Sequence, residues 1–165
     1  MVQNPLKIIF KRRSAKGYYM DIKVLSENDI GKEETLRLNA LQRQLRGDGF
    51  RNLTLLEWEK MADQSGLEMI AGFERGEIIG MSILRWHDLP GGRTATLEDV
   101  VVDLAHRGKG YCELLVKEII KMARKTKVDF LDLTSHPSRE AANKLYQKLG
   151  WEKRNTNLYR FKINR

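Results

Sequence analysis

Between residues 68 and 103 the hydrophobic pattern indicates three successive β-strands. The segments Glu68–Phe73, Glu77–Trp86 and Thr94–Asp103 place apolar residues at period two or in short continuous runs. Arg75-Gly76 supplies a tight turn between the first two, and Pro90-Gly91-Gly92 a looser one before the third, because glycine tolerates the positive φ of such turns. A chain with this pattern must build its fold around a sheet that contains neighbouring antiparallel strands.

The rest of the chain is predicted to add helices and further strands to this sheet. Apolar residues at helical spacing and capping residues predict the helices, and short apolar runs predict the strands. In chain order these elements are a strand at Met20–Leu25, a helix from Ile30 to Leu45, a helix after Thr54 that ends before Gly66, a helix to about Lys125, a strand at Val128–Thr134, a helix at Ser138–Leu149, and strands at Trp151–Glu152 and Leu158–Ile163. The pattern predicts a mixed α/β sheet in one domain, without repeats or a linker.

Composition limits the class of protein. A chain of 165 residues with 41% hydrophobic and 32% charged residues is typical of one soluble globular domain. It contains no apolar run near the roughly 20 residues that a membrane-spanning helix needs. The single cysteine, Cys112, excludes an internal disulfide and favours a reducing, cytoplasmic location.

The net charge of +8 is concentrated at the amino end. Residues 1–19 contain five basic residues and no acidic one, and we interpret them as a basic N-terminal extension to a domain at 20–165. The extension mixes its bases with Ile8, Ile9, Phe10, Tyr18 and Tyr19, so contact with nucleic acid is one hypothesis. A solvated arm is the other, and we favour it because short basic runs are common and weakly specific.

The chemistry is carried by the segment that follows the third of the three strands. Val100-Val101-Val102-Asp103 runs into the turn Arg107-Gly108-Lys109-Gly110, which opens an amphipathic helix at Tyr111-Cys112. The first N–H groups of a helix have no intrahelical partner and bind phosphate, particularly where glycines let the ligand approach. The pattern is neither a Walker A loop nor a dinucleotide-binding fingerprint. By itself, such a turn is also compatible with a simple strand-to-helix connection.

Two motifs together identify a resemblance. Arg107-x-x-Gly110-x-Cys112 resembles the pyrophosphate-binding signature of the GNAT superfamily of N-acetyltransferases, and residues 142–151, Ala-Asn-Lys-Leu-Tyr-Gln-Lys-Leu-Gly-Trp, resemble its second signature. Both lie in the family's order, and the surrounding pattern is similar from about Met20 to Ile163. The resemblance implies a mixed, mostly antiparallel sheet of six to seven strands with about four helices, in which two splayed parallel strands hold the coenzyme.

The same resemblance implies acetyl-CoA as cosubstrate. No metal is expected, because none of the three histidines forms a metal-ligand pattern. The splayed strands are here Val100–Asp103 and Phe130–Thr134, with the pantetheine arm paired to the backbone of Val100 and Val102 and the pyrophosphate on the amides of Gly108 to Cys112. The implied coenzyme-binding residues are Val100, Val101, Val102, Arg107, Gly108, Lys109, Gly110, Tyr111, Cys112 and Asn143.

This chain departs from the family pattern at two positions. Cys112 replaces the usual small residue of the first signature; we interpret it as a small buried residue and not as a nucleophile, since no histidine is adjacent in sequence. Arg139 stands where many relatives have asparagine, so Asn143, one helical turn later, is the candidate for that coenzyme contact.

The resemblance assigns roles in direct attack of an amine on the thioester. Tyr146 is the implied acid for the leaving thiolate, with a core aromatic as the structural alternative, and the Val102 N–H is the candidate oxyanion donor. Glu98 is the favoured base, directly or through a water, because Leu97-Glu98-Asp99 resembles the diamine and glucosamine-phosphate acetyltransferase branches. Strand alternation separates Glu98 from Asp99, and either could instead be a structural acceptor. His87 is a weaker candidate.

The acceptor remains open at this level. A small primary amine or polyamine is slightly favoured over a protein lysine or N-terminus, since Glu33, Glu34, Glu57 and Glu59 could attract cations, although solvated helix faces are more common. The alternative function is a non-catalytic acyl-CoA-binding regulatory module of the same fold. A homodimer is compatible with the resemblance.

Overall fold

The structure is a computed structural model that describes residues 10–163. It divides into two compact units, one within residues 1–134 and the other within residues 135–165. The first unit contains, in chain order, β1 (Phe10–Arg13), β2 (Tyr19–Leu25), α1 (Lys32–Arg46), α2 (Leu55–Ala62), β3 (Leu67–Glu74), β4 (Glu77–Leu89), β5 (Gly92–Val102), α3 (Tyr111–Lys125) and β6 (Phe130–Asp132). The second contains α4 (Glu140–Lys148). No helix in this described range is long and apolar enough to cross a membrane.

The six strands form one sheet in the order β1-β2-β3-β4-β5-β6. Every neighbouring pair is antiparallel except β5 and β6, which are parallel. This confirms the predicted mixed, mostly antiparallel sheet with one parallel pair. The parallel pair arises because α3 carries the chain back between β5 and β6, whereas short turns join β3, β4 and β5.

Helices cover both faces of this sheet. On one face, Leu38 and Leu41 of α1 and Trp58 of α2 are buried in a single core cluster with apolar residues of β2 to β5. On the opposite face, α3 buries an apolar stripe that includes Leu115 and Ile119. Because successive strand residues point to opposite faces, strands β2 to β5 supply buried residues to both cores. Since α3 follows β5 after a short turn, its first residues lie at the carboxyl end of β5.

The amino end contains a strand that the sequence analysis did not predict. Residues Phe10–Arg13 pair with Tyr19–Ile22 of β2, so part of the predicted extension belongs to the sheet. Its basic composition concealed this, because three of its four residues are cationic. Residues 1–9, including Ile8 and Ile9, lie outside the described range.

The two strands predicted at the carboxyl end are wrong. In the second unit, residues 151–163 form neither strand nor helix. Leu158, Tyr159, Phe161 and Ile163 are 73%, 86%, 90% and 77% exposed. Their pattern suits a strand, but a strand needs a hydrogen-bonding partner, and a local pattern does not specify one.

Candidate functional site

The parallel strands β5 and β6 pair over only three residues. Their register runs from Thr94 opposite Phe130 to Thr96 opposite Asp132, and β6 ends there. Strand β5 continues to Val102, so within the described part of the first unit its outer edge from Leu97 onward has no strand partner. An unpaired strand edge presents N–H and C=O groups that an extended ligand can use.

Hydrogen bonding shows which backbone groups face this open edge. The Asp103 N–H donates to Ile79 O at 2.8 Å, so Asp103 and Val101 direct their backbone toward β4. The backbone groups of Val102, which lies between these two residues, therefore point outward. Val101, by contrast, pairs with Met81 and buries its side chain in the core.

The pairing of β5 with β4 contains a β-bulge. Met81 of β4 lies opposite Val101 and Ile83 lies opposite Glu98, so Asp99 and Val100 together face the single residue between Met81 and Ile83. Asp99 adopts a φ of +51°, which is uncommon for a residue with a side chain. The bulge interrupts simple alternation at the two carboxylates that the sequence analysis considered as bases.

The structure separates those two carboxylates. Asp99 accepts from two side chains on one face of α1: Arg46 Nη2 lies 2.6 and 2.8 Å from its two oxygens, and Gln42 Nε2 lies 3.1 Å away. Glu98 is exposed, and between residues 10 and 163 no hydrogen bond or ion pair engages its carboxylate. Asp99 is thus committed to a structural ion pair, while Glu98 is available to a ligand.

The glycine-rich turn has the geometry expected of an anion-binding loop. Gly108 and Gly110 have φ values of +78° and +88°, in the left-handed region that side chains disfavour. Gly110 immediately precedes α3, whose first N–H groups have no acceptor within the helix. Arg107 donates its Nε to Val102 O at 3.0 Å, which uses one of its five N–H donors and links the loop to the open edge.

Two basic residues of this region are held by acids. Lys109 Nζ lies 3.4 Å from Glu74 Oε2, and His106 Nε2 lies 3.2 Å from the same oxygen. Glu74 also accepts from the Tyr111 hydroxyl; this bond lowers the pKa of Glu74, whereas burial and then Glu74 raise the pKa of Tyr111. Tyr111 is 1% exposed, so its side chain belongs to the core, and only its backbone lies at the helix start.

Cys112 is partly buried in the first turn of α3. Burial raises the pKa of its thiol to about 11. A thiol in that state is neutral near pH 7 and is a poor nucleophile, because the thiolate is the reactive form. This supports the interpretation of Cys112 as a packing residue.

In the second unit, the second signature forms the end of helix α4. Gly150, with φ +89°, donates its N–H to Gln147 O, and the Trp151 N–H donates to Tyr146 O, both at 3.0 Å. These bonds are those of a Schellman motif, which commonly includes an apolar contact between its end residues. Here the rings of Tyr146 and Trp151 make that contact, with centroids 6.0 Å apart. The Gly-Trp pair of the signature therefore fixes the position of the Tyr146 ring.

Asn143 has a local role in this unit. Its Nδ2 donates to His136 O at 3.0 Å, which ties α4 to the preceding loop. His136 is exposed and contacts Ser138, and His87 is exposed on β4.

The chain matches the model of the acetyltransferase (GNAT) family over residues 36–151. It belongs to the GNAT family. The match includes the open edge of β5, the loop before α3 and the closing turn of α4, and it confirms the resemblance on which the sequence analysis relied. No curated protein matches the chain in sequence.

Solved structures share the GNAT fold. A ribosomal-protein-alanine N-acetyltransferase from Brucella melitensis superposes with a TM-score of 0.76 at 21% identity, covering 90% of this chain and 100% of that one. An aminoglycoside acetyltransferase from an uncultured soil metagenomic sample gives 0.75 at 15%, covering 87% and 97%. The acetyltransferase AAC(6')-Iy, solved with a CoA bisubstrate analogue, gives 0.71 at 20%, covering 88% and 100%. At these identities the similarity shows the fold alone; the names of these proteins include both a ribosomal-protein and an aminoglycoside acetyltransferase.

The sequence analysis missed the residues that support the site from a distance. Arg46 and Gln42 hold Asp99, and Glu74 holds Lys109. Arg46 lies 53 residues from Asp99 in the chain, and Glu74 lies 35 residues from Lys109. No local pattern indicates such partners; only the helical position of Gln42 and Arg46, four residues apart on one face, marks them as neighbours of each other.

Proposed function

We propose that this protein is an N-acetyltransferase that transfers an acetyl group from acetyl-CoA to a primary amine by direct attack. The observation that carries the proposal is the open outer edge of β5, which leads directly into a loop with two left-handed glycines at the start of α3. This arrangement suits one extended ligand with an amide-containing arm and a pyrophosphate, and family membership agrees with it.

In this proposal the backbone of Val100 and Val102 pairs with the pantetheine arm, and the amides from Gly108 to Cys112 bind the pyrophosphate. Arg107 adds positive charge. Gly108 has no described atom within 4 Å of the position that a Cβ would occupy, so there is space for a ligand to approach its backbone. Lys109 and Tyr111 have supporting roles, because their side chains are engaged with Glu74.

The proposed chemistry has three requirements. An alkylammonium acceptor with a pKa near ~10 must lose a proton before its nitrogen can attack, and exposed, unpaired Glu98 is the proposed base. The C–N bond forms and the C–S bond breaks through an oxyanion, for which the outward Val102 N–H is the proposed donor. The departing thiolate takes a proton from Tyr146, whose role is implied by the family's second signature.

The acceptor that we favour is a small amine or polyamine. The acidic residues that could have supported this choice are partly committed to structure: Glu34 Oε2 accepts from the Gly31 N–H at 2.9 Å, and Glu57 pairs with Arg51 at 2.7 Å. Because the structural neighbours include a ribosomal-protein and an aminoglycoside acetyltransferase, peptides and amino sugars should also be tested as acceptors. We place the reaction in the cytoplasm, which the lone cysteine supports.

A thiol-release assay tests the proposal. Acetyl-CoA is incubated with the protein and with polyamines, amino sugars, amino acids or basic peptides, and CoA thiol is measured. We expect turnover with one class and a loss of roughly 10²-fold or more in kcat for Glu98→Gln, with Asp99→Asn as the matched control. Binding of acetyl-CoA with no turnover on any class would favour the non-catalytic module.

A further inference from the structure

The turn between β1 and β2 is a well-defined structure within the predicted basic extension. The Ser14 N–H donates to Tyr18 O at 2.8 Å, and the Gly17 N–H donates to Ser14 O at 2.9 Å. Gly17 has a φ of +87°, which a tight turn accommodates through glycine. Residues 14–18, here called the hairpin turn, therefore have a defined backbone.

A buried ion pair fixes this hairpin to α3. Arg12 Nε lies 2.8 Å from Glu118 Oε2, and the Glu118 side chain is only 3% exposed. A carboxylate so buried requires a cationic partner, since an unpaired one would be strongly disfavoured. The hairpin is thereby attached to α3, the helix that begins directly after the glycine-rich turn Arg107–Gly110.

The hairpin turn itself lies against that loop. Ser14 is 6% exposed, and its Cβ is 3.1 Å from the position that a Cβ on Gly110 would occupy. Lys16 Nζ donates to Gly108 O at 2.6 Å. The Tyr18 ring packs edge-on against Tyr111, with centroids 6.2 Å apart. Both glycines of the loop thus have a neighbour in the hairpin turn.

Lys109 of the loop and Lys16 of the hairpin turn differ in their surroundings. Lys109 is held by Glu74 and lies over the Tyr18 and Tyr111 rings at 5.4 and 5.7 Å. Lys16 is exposed, and no carboxylate of residues 10–163 pairs with it. Its ammonium has three N–H donors and gives one to Gly108, so two remain for an anion.

We propose that the hairpin turn forms a wall of the coenzyme site and that Lys16 binds a phosphate group of the coenzyme. The inference rests on the proposed function, and it adds a residue outside both signatures. Lys16 binds the Gly108 carbonyl oxygen, so it occupies none of the N–H groups of the loop. Arg12 has a positioning role, because it acts through Glu118.

Calorimetric titration of Lys16→Met tests this proposal. The ligands are CoA, dephospho-CoA and pantetheine, which carry the full set of phosphates, the pyrophosphate only, and none. We expect Lys16→Met to bind CoA about tenfold more weakly and pantetheine as wild type does, since a charge-assisted hydrogen bond to phosphate is lost. Dephospho-CoA then shows which phosphate is bound: a persisting loss indicates the pyrophosphate, and a vanishing loss the 3'-phosphate.

Two matched variants complete the design. Lys16→Arg should retain most of the affinity, because it keeps the charge, and Lys11→Met, which removes the same charge from the same hairpin, should bind CoA within about twofold of wild type. CoA affinity of Lys16→Met equal to wild type, or an equal loss for pantetheine, would overturn the proposal. If the wild type binds CoA and Lys16→Met binds it equally well, only the role of Lys16 fails. If the wild type binds no CoA, the proposed function fails too.

Discussion

Two glycines with almost the same backbone conformation serve opposite purposes in this chain. Gly110, just before α3, and Gly150, just after α4, have φ values of +88° and +89°. At Gly110 the chain enters a helix and leaves its first N–H groups without intrahelical acceptors. At Gly150 the chain leaves a helix and closes its last carbonyls in a Schellman motif. The first end has the free N–H groups that we propose bind the pyrophosphate, and the second holds the Tyr146 ring in place.

The first substitution removes the hydroxyl of Tyr146, whose ring is positioned by the turn after α4. Tyr146→Phe should lower kcat by roughly 10²-fold, because the leaving thiolate loses its proton donor, while the Kd for acetyl-CoA stays within about twofold. Thiol release and calorimetry measure the two quantities. Tyr159→Phe, at a position 86% exposed, is the control. An unchanged kcat in Tyr146→Phe would remove the acid from the mechanism.

The next substitution changes Gly110, at the start of α3. Gly110→Ala should weaken acetyl-CoA binding by at least about tenfold, since φ +88° strains a side chain by about 1 kcal/mol and the new Cβ would lie 3.1 Å from Ser14 Cβ. Gly108→Ala is the companion variant, because Gly108 has a similar φ and no described atom within 4 Å of the position that its Cβ would occupy. Urea unfolding with calorimetry separates strain from binding. Acetyl-CoA affinity of Gly110→Ala equal to that of the wild type would contradict this role of the turn.

At Gly150, after the end of α4, the same substitution should lower stability and leave acetyl-CoA affinity unchanged. Gly150→Ala should lower the free energy of unfolding by about 1 kcal/mol through backbone strain, with no steric conflict, since no described atom lies within 4 Å. Acetyl-CoA affinity should remain within about twofold of wild type. A tenfold loss of affinity in this variant would mean that the two glycine ends are not separate in function.

The smallest effect is expected at Cys112. Cys112→Ala should leave kcat within about threefold of wild type, because a neutral thiol takes no part in direct attack. Since burial raises the pKa of this thiol to about 11, alkylation by iodoacetamide should be slow near pH 7 and should still be accelerating above pH ~9. In urea the thiol should regain its ordinary pKa and react faster. Rapid alkylation of the folded protein at neutral pH would contradict its burial.

Local patterns in the sequence predicted most of the fold. The boundaries of β2 to β5 and of α1 to α4 follow hydrophobic period, glycines and caps, all of which act between residues close in the chain. The prediction was wrong where strand formation depends on pairing with a distant part of the chain. Strand β1 has a basic sequence and forms by pairing with the edge of β2. Residues 151–163 have the hydrophobic pattern of strands but form none.

The candidate site shows the same division. The loop from Arg107 to Cys112 and the end of α4 were visible because each is a short motif with a local physical cause. The choice between Glu98 and Asp99 was not, because it depends on Arg46, 53 residues away. The contact between Lys16 and Gly108 spans 92 residues and was equally invisible.

The most direct test of the central claim is calorimetric titration of acetyl-CoA into the wild-type protein. We predict one site per chain, with an affinity that falls in Gly110→Ala and is retained in Gly150→Ala. Absence of binding in the wild type would contradict the assignment of the open β5 edge and the loop before α3 as a coenzyme site.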